Sequence, residues 1–223
     1  MSKRTWALLA ATIVSIIYGV TFTIAKDVMP KYIEPFGFIL MRVGGSMLLF
    51  WLITPFFSTE KIEKQDFPRI IAAAFFGVAL NMLTFFKGLS YTSPIMGAVL
   101  MVTTPMIVLV LSAILMKERM QNRKIYGLIL GLIGTIFLII YGKSVINASN
   151  ATLGNILVFI NAVSYGFYLI IVKKLMDKYN AFAFVKWIYT FGFLMVLPFG
   201  WSEFQAVDFT NVPMDIFWKI GFV

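Results

Sequence analysis

A single arginine, Arg42, lies well inside a long apolar stretch of the chain, about seven residues from the start of the predicted helix. At 1.5 Å per residue, its charge lies roughly 10 Å deep in an apolar medium. A guanidinium there is costly unless it pairs, faces water or reaches a polar surface. Arg42 is therefore a candidate contact for an anionic group of a ligand, such as a carboxylate. The favoured interpretation is nevertheless a structural arginine that binds helix-end carbonyls or extends outward.

Hydroxyl and amide side chains recur along the other apolar stretches. A tyrosine suits a binding cavity, because its ring gives apolar contact and its hydroxyl gives orientation. For any one of these residues, hydrogen bonding between neighbouring helices is the favoured alternative. The predicted substrate-binding cavity comprises Arg42 with Tyr18, Asn81, Thr84, Thr103, Thr104, Asn161, Tyr165 and Tyr168.

The reactive groups that are missing also narrow the function. The chain has no cysteine and no histidine, which excludes thiolate and imidazole chemistry and most zinc sites. No aspartate or glutamate lies within a complete predicted span, so a buried carboxylate proton relay is not expected. We predict no catalytic residue, no metal site and no cofactor, and hence a protein that is not an enzyme.

The elements that must position these residues are membrane helices. Of the 223 residues, 60% are hydrophobic, against about 45–50% in soluble domains, and the mean hydropathy is +0.89. A lipid bilayer is therefore the expected surrounding medium. The net charge of +9 lies in short loops rather than on one basic face, which argues against a nucleic-acid partner.

The predicted fold class is all-α: a polytopic membrane protein with seven complete transmembrane helices and the start of an eighth near Asp215. Each span needs about 20 apolar residues. Ser93 and Pro94 predict a helix start, Gly200 a helix end, and Pro105 a kink. The predicted helices are 5–26, 35–57, 68–87, 93–116, 123–142, 152–174 and 183–200.

The basic residues indicate which way the helices run. Thirteen of the 19 lie at the N-terminus or in every second gap between spans, and four lie in the opposite gaps. Because positive loops stay in the cytoplasm, the N-terminus is predicted to be cytoplasmic.

A weak internal repeat accompanies this pattern. At a shift of 147 residues, 13–29 matches 160–176 at six of 17 positions, including Tyr18-Gly19 over Tyr165-Gly166 and Lys26 over Lys173. The two copies are five spans apart and would therefore insert with opposite orientation, as in the inverted repeats of secondary transporters.

The order and spacing of these motifs resemble the EamA-type drug/metabolite transporters of the DMT superfamily. The resemblance covers nearly the whole chain, and no single motif is specific. Its residues are Tyr18 to Phe22 with Lys26, Pro35, Leu40 to Arg42, Asn81, Gly88 to Pro94, Thr104-Pro105, Lys117 to Arg119, Gly154, Asn161 to Tyr165, Trp187 and Leu197-Pro198.

The resemblance implies ten helices in two inverted halves that export amino acids, metabolites or drugs by alternating access in the plasma (inner) membrane. Residues 1–145 would form the first repeat and 152–223 an incomplete second one. A full member is expected to have about 300 residues, so the chain is interpreted as a fragment of a ten-helix protein. The alternative is a truncated protein or scaffold that does not transport.

Three glycines, Gly127, Gly131 and Gly134, form a face of small residues on the fifth predicted helix. Such faces let helices approach closely. Packing within the chain is the favoured interpretation, and a homodimer contact is the alternative.

Overall fold

The structure, a computed structural model, describes residues 3–57, 60–115, 122–141 and 150–223. Within these ranges the chain is helical, without β-strands. The helices are α1 (Lys3–Val28), α2 (Pro35–Phe57), α3 (Phe67–Ala74), α4 (Leu80–Tyr91), α5 (Pro94–Met101), α6 (Thr104–Leu115), α7 (Asn122–Tyr141), α8 (Ala151–Met176), α9 (Ala181–Gln205) and α10 (Met214–Phe222).

Six stretches of the described residues are long and apolar enough to cross a membrane. They are Leu8–Val28, Pro35–Phe57, Lys64–Tyr91, Pro94–Leu115, Ala151–Met176 and Ala181–Gln205. The fifth predicted helix corresponds to α7, whose apolar part, Ile125–Phe137, is shorter. An all-helical, multi-pass membrane protein is thus confirmed, while the count of seven complete spans stays a prediction.

The third span contains a local change of helix type. A π-turn, Phe75–Ala79, connects α3 to α4. Such a turn disrupts the regular backbone ladder and is common at functional sites. The hydroxyl of Ser164 on α8 donates to the carbonyl of Phe76 at 2.6 Å, so a neighbouring helix satisfies a carbonyl of the turn. The span also runs four residues past its predicted end, to Tyr91.

The fourth span is divided where Pro105 predicts a kink. The α-helix is interrupted at Val102 and Thr103 and resumes with α6 at Thr104. Proline has no amide hydrogen to continue the helical ladder, which accounts for the break. At the start of the span, Ser93 Oγ accepts from the amide of Met96 at 3.1 Å, and the predicted N-cap is confirmed.

Helices α2 and α9 pack antiparallel along their whole lengths. Glycine allows the closest approach: a Cβ on Gly200 would collide with the backbone of Phe36. The predicted helix end at Gly200 is therefore wrong, since this glycine serves packing and α9 continues to Gln205. The buried apolar core forms where α2, α4, α8, α9 and the end of α1 meet, around Phe38, Phe86 and Phe184.

Candidate functional site: a cavity with one arginine

A cavity of about 1100 Å³ lies between seven of the helices. Of the nine predicted site residues, five contribute to its lining: Arg42, Asn81, Thr104, Tyr165 and Tyr168. A sixth, Tyr18, lies on α1 beside the lining residue Gly19, but its side chain is outside the described residues. The remaining three, Thr84, Thr103 and Asn161, are not part of the lining.

Arg42 is half-buried on α2 and faces this cavity. Its guanidinium carbon lies 5.4 Å from the centre of the Phe86 ring, within the range of a cation–π contact. The Phe86 ring in turn packs edge-on against Phe38, with centroids 5.5 Å apart. The arginine is thus positioned by the aromatic core rather than extended away from the protein.

Tyrosines form another part of the wall. The rings of Tyr165 and Tyr168 on α8 are stacked, with centroids 5.7 Å apart, and Tyr189 on α9 joins them in the lining. The ring of Tyr168 occupies space left by Gly77, because a Cβ at residue 77 would overlap that ring. The glycine of the π-turn therefore determines how far this tyrosine projects into the cavity.

Asn81 and Asn161 join α4 to α8 reciprocally. The side-chain amide of Asn161 donates to the backbone carbonyl of Asn81 at 2.9 Å, and the side-chain amide of Asn81 donates to the backbone carbonyl of Asn161 at 3.3 Å. Asn161 is buried, and its side-chain oxygen has no hydrogen-bond partner among the described residues. This is the interhelical bonding that the sequence left as the alternative to a cavity role.

Two of the three predicted threonines bond to nearby backbone, and among the described residues the third does not. The Thr84 hydroxyl donates to the carbonyl of Leu80 on its own helix at 2.7 Å, and the Thr103 hydroxyl donates to that of Leu100 at 2.6 Å. Both hydroxyls are therefore engaged with nearby backbone. Thr104 is 8% exposed and lines the cavity, and its hydroxyl has no partner among the described residues.

Sequence reasoning missed the aromatic part of the cavity. Phe22, Phe85 and Tyr189 contribute to the lining, and the rings of Phe22 and Phe85 meet edge to face with centroids 5.1 Å apart. Phenylalanine is the expected residue anywhere in a membrane span, so its type gave no signal. Tyr189 could have been found by the same reasoning as Tyr165, since both are tyrosines within a span.

Two clusters of hydrogen bonds from charged side chains hold the helix ends. In the first, Lys26 on α1 donates to the carbonyls of Leu89, Ser90 and Thr92 at 2.8, 2.8 and 3.1 Å, at the C-terminal end of α4. The last carbonyls of a helix have no partner within it, so this lysine caps α4 from a neighbouring helix.

The second cluster joins the start of the third span to the turn between α8 and α9. Lys178 Nζ lies 2.7 Å from Asp66 Oδ2 and 2.9 Å from Glu63 Oε2, and the Tyr179 hydroxyl donates to Asp66 at 2.7 Å. Hydrogen bonds to Asp66 and Glu63 raise the pKa of the Lys178 ammonium above its usual value. The hydrogen bond from Lys178 lowers the pKa of Glu63.

The cavity can therefore hold a small molecule with an apolar body and a group that accepts hydrogen bonds from Arg42. Across the described ranges, no three acidic side chains gather in a way that could hold a metal ion.

One family model matches most of the chain. The model of the EamA-like transporter family matches residues 5–140 and 152–215. Uncharacterized transporter YetK of Bacillus subtilis is 27% identical over 183 residues, covering 82% of this chain and 54% of the relative. Uncharacterized transporter YyaM of the same organism is 24% identical over 213 residues, covering 94% and 69%. An uncharacterized transporter of Archaeoglobus fulgidus is 27% identical, covering 88% and 67%. The chain thus spans about half to two thirds of these relatives.

Proposed function

Because this chain belongs to the EamA-like transporter family, we propose that it exports small metabolites, such as amino acids, by alternating access through the cavity between two inverted repeats. The observation that carries this proposal is the cavity of about 1100 Å³ with Arg42 in its wall. Binding sites for small molecules typically occupy 300–1,000 Å³ and combine an apolar lining with a few polar groups.

Reciprocal contacts between α2 and α9 support the inverted repeat. The amides of Phe36 and Gly37 at the start of α2 donate to Glu203 near the end of α9, at 2.6 and 2.9 Å. At the other end of the pair, the amide of Asn180, just before α9, donates to Glu60, just after α2, at 2.7 Å. Each helix thus receives a carboxylate at its start from the end of its partner, as a twofold relation between antiparallel copies would produce. The domain limits 1–145 and 152–223 remain the proposal for the two halves.

The orientation proposal follows the positive loops and places the N-terminus in the cytoplasm. In this orientation the cluster of Glu63, Asp66 and Lys178 closes the cytoplasmic ends of the third span, α8 and α9. Alternating access needs one end of the cavity closed while the other is open. We propose the plasma membrane as the location. Accessibility labelling of cysteines introduced at residues 63 and 178 would contradict this orientation if only external reagent reached them.

The test of transport is flux through proteoliposomes. Vesicles that contain the purified chain are loaded with a ¹⁴C-labelled mixture of amino acids and other small carboxylates, and loss of label is compared with protein-free vesicles. We expect efflux from the wild type and a reduction in Tyr165→Ala, in a variant that retains its helicity. Efflux equal to protein-free vesicles would favour the second candidate, a membrane protein or scaffold that does not transport.

A homodimer through the glycine face also remains a proposal. Gly127 and Gly134 have open space around the position that a Cβ would occupy, so a partner helix could approach there. A Cβ on Gly131 would instead meet the side chain of Met106 on α6, so this glycine packs within the chain. Gly134→Leu should abolish a dimer detected by cross-linking in vesicles, whereas an unchanged cross-link would exclude this face.

A further inference from the structure

The described lining of the cavity contains a positively charged side chain and no negatively charged one. Arg42 is a permanently charged cation in its lining. Nine of the ten acidic residues lie in the described part of the chain, and none of these nine contributes to the lining. The tenth, Glu118, lies outside the described residues. Within the described structure, the cavity therefore has a net positive charge.

The carboxylates nearest to the spans are already engaged elsewhere. Glu203 accepts the amides at the start of α2. Asp27 pairs with Lys219 of α10 at 3.1 Å, and Asp66 binds Lys178. Since no described acidic residue belongs to the cavity wall, a bound cation would meet Arg42 without a compensating carboxylate.

Among the polar groups of the described lining, Arg42 alone can only donate, whereas the hydroxyls and the Asn81 side chain both donate and accept. A carboxylate accepts hydrogen bonds and donates none, whereas an ammonium only donates. The guanidinium of Arg42 only donates, and the buried hydroxyl of Thr104, which has no partner among the described residues, is able to donate. The Asn81 amide donates to a backbone carbonyl. A desolvated carboxylate would therefore find donors here.

Aromatic faces and the acceptor oxygens of Asn81, Thr104 and the lining tyrosines could attract a cation instead. The ring of Phe86 is already in contact with the Arg42 guanidinium. A second cation against the neighbouring rings would lie close to that guanidinium, and like charges repel strongly at low dielectric. The same rings suit the apolar body of a ligand, because ring–ring contacts favour stacked and edge-on arrangements.

We infer that the cavity selects a monoanion with an apolar body, an amphipathic carboxylate, over a zwitterion or a cation with the same body. This inference rests on the proposed function for the site itself, but it concerns binding and is separable from transport. It also narrows the substrate class, because an amino acid carries an ammonium for which the described lining provides no carboxylate partner.

The test uses three probes that share one ring and differ in charge: phenylacetate, L-phenylalanine and phenethylamine. Their affinities for the purified chain in nanodiscs are measured by calorimetry at pH 7. We expect phenylacetate to bind at least about tenfold more tightly than the other two. Equal or tighter binding of phenylalanine or phenethylamine, or no binding of any probe at millimolar concentration, would overturn the inference.

Arg42→Gln and Arg42→Lys show whether the selectivity comes from this side chain. The preference for phenylacetate should disappear in Arg42→Gln and persist in part in Arg42→Lys. Lys87→Gln is the matched control: it removes one positive charge from a span, but Lys87 lies over the rings of Phe36 and Tyr91 and not in the cavity lining. Loss of the preference in Lys87→Gln, or its persistence in Arg42→Gln, would overturn the assignment to Arg42.

Flux of the same probes separates the two proposals. Binding of phenylacetate without efflux from proteoliposomes would sustain the charge selectivity and contradict the transport function. Efflux of phenylalanine together with equal binding of all three probes would sustain transport and contradict the selectivity.

Discussion

Replacing Lys26 by methionine should destabilise the protein, because this lysine caps α4 from a neighbouring helix. Its ammonium uses all three donors on backbone carbonyls, at 2.8, 2.8 and 3.1 Å. Methionine keeps the approximate length and the apolar contacts of the side chain but leaves three carbonyls at the end of the helix without this donor.

The magnitude follows from two reference values. Hydrogen bonds between membrane helices average about 0.6 kcal/mol, and hydrogen bonds to charged groups contribute about 1.5–3 kcal/mol. Lys26 is half-buried. The combined contribution of its three hydrogen bonds to the free energy of unfolding is therefore expected to lie between three times the first value and three times the lower limit of the second. Lys26→Met should therefore reduce the free energy of unfolding by about 2–4.5 kcal/mol.

The assay is unfolding by SDS in mixed micelles, followed by circular dichroism. Lys31→Met is the control, since Lys31 is exposed and its ammonium contacts only the ring of Tyr32, at 4.9 Å, in the described structure. Amide exchange in 89–97 should accelerate in Lys26→Met and stay unchanged in the control. A loss below about 0.5 kcal/mol, the usual range for surface substitutions, or a loss equal to that of Lys31→Met, would refute the capping role.

Three further outcomes follow from the site and its supports. Gly77→Ala should displace the Tyr168 ring into the cavity and weaken probe binding, measured by calorimetry, with little loss of helicity. Glu203→Gln should lower the free energy of SDS unfolding by about 1–3 kcal/mol, because the charge-assisted bonds to two amides at the start of α2 weaken. The ion pair of Glu63 and Lys178 should make stability fall with acidification: the pKa of Glu63 is lowered in the fold, so its contribution is present above the usual value of 4.5 and is lost as pH falls through the lower folded value. Thermal unfolding between pH 7 and pH 3 measures this last effect.

Matched variants control these three predictions. Gly45→Ala places a methyl group in open space on α2 and should leave binding unchanged. Glu34→Gln removes an exposed carboxylate just before α2 and should leave stability nearly unchanged. Glu63→Gln should flatten the part of the pH dependence that comes from Glu63. Equal effects in a variant and its control would contradict the corresponding prediction.

Much of the architecture was accessible from the sequence, because hydropathy and helix-end residues act locally. The apolar stretches located every long helix that the structure describes. Ser93 correctly indicated a cap, and the helix is interrupted next to Pro105, where a kink was predicted. The helix end predicted at Gly200 was wrong for a physical reason. Glycine often ends helices, but it also permits close packing between helices, and the sequence does not distinguish the two roles.

The residues of the cavity could be predicted from the sequence only in part. Arg42 stood out because a charge in an apolar run is rare, and it does face the cavity. Asn81 and Asn161 have the same type and the same membrane setting, yet one lines the cavity and the other is buried against α4. The residue type determines whether a side chain can form hydrogen bonds. The rotation of each helix about its axis determines whether that side chain faces the cavity or a neighbouring helix.

The sequence by itself determined that this chain lies in a membrane, where its helices run and which family it belongs to, because solvation of apolar side chains and short-range backbone bonding depend on nearby residues alone. Only the tertiary structure decided that Lys26 caps α4, that Gly77 makes room for Tyr168 and that Arg42 lies against the Phe86 ring in a cavity whose described lining holds no acid. These arrangements join residues that are distant in the chain, and the packing of whole helices against one another fixes their distances.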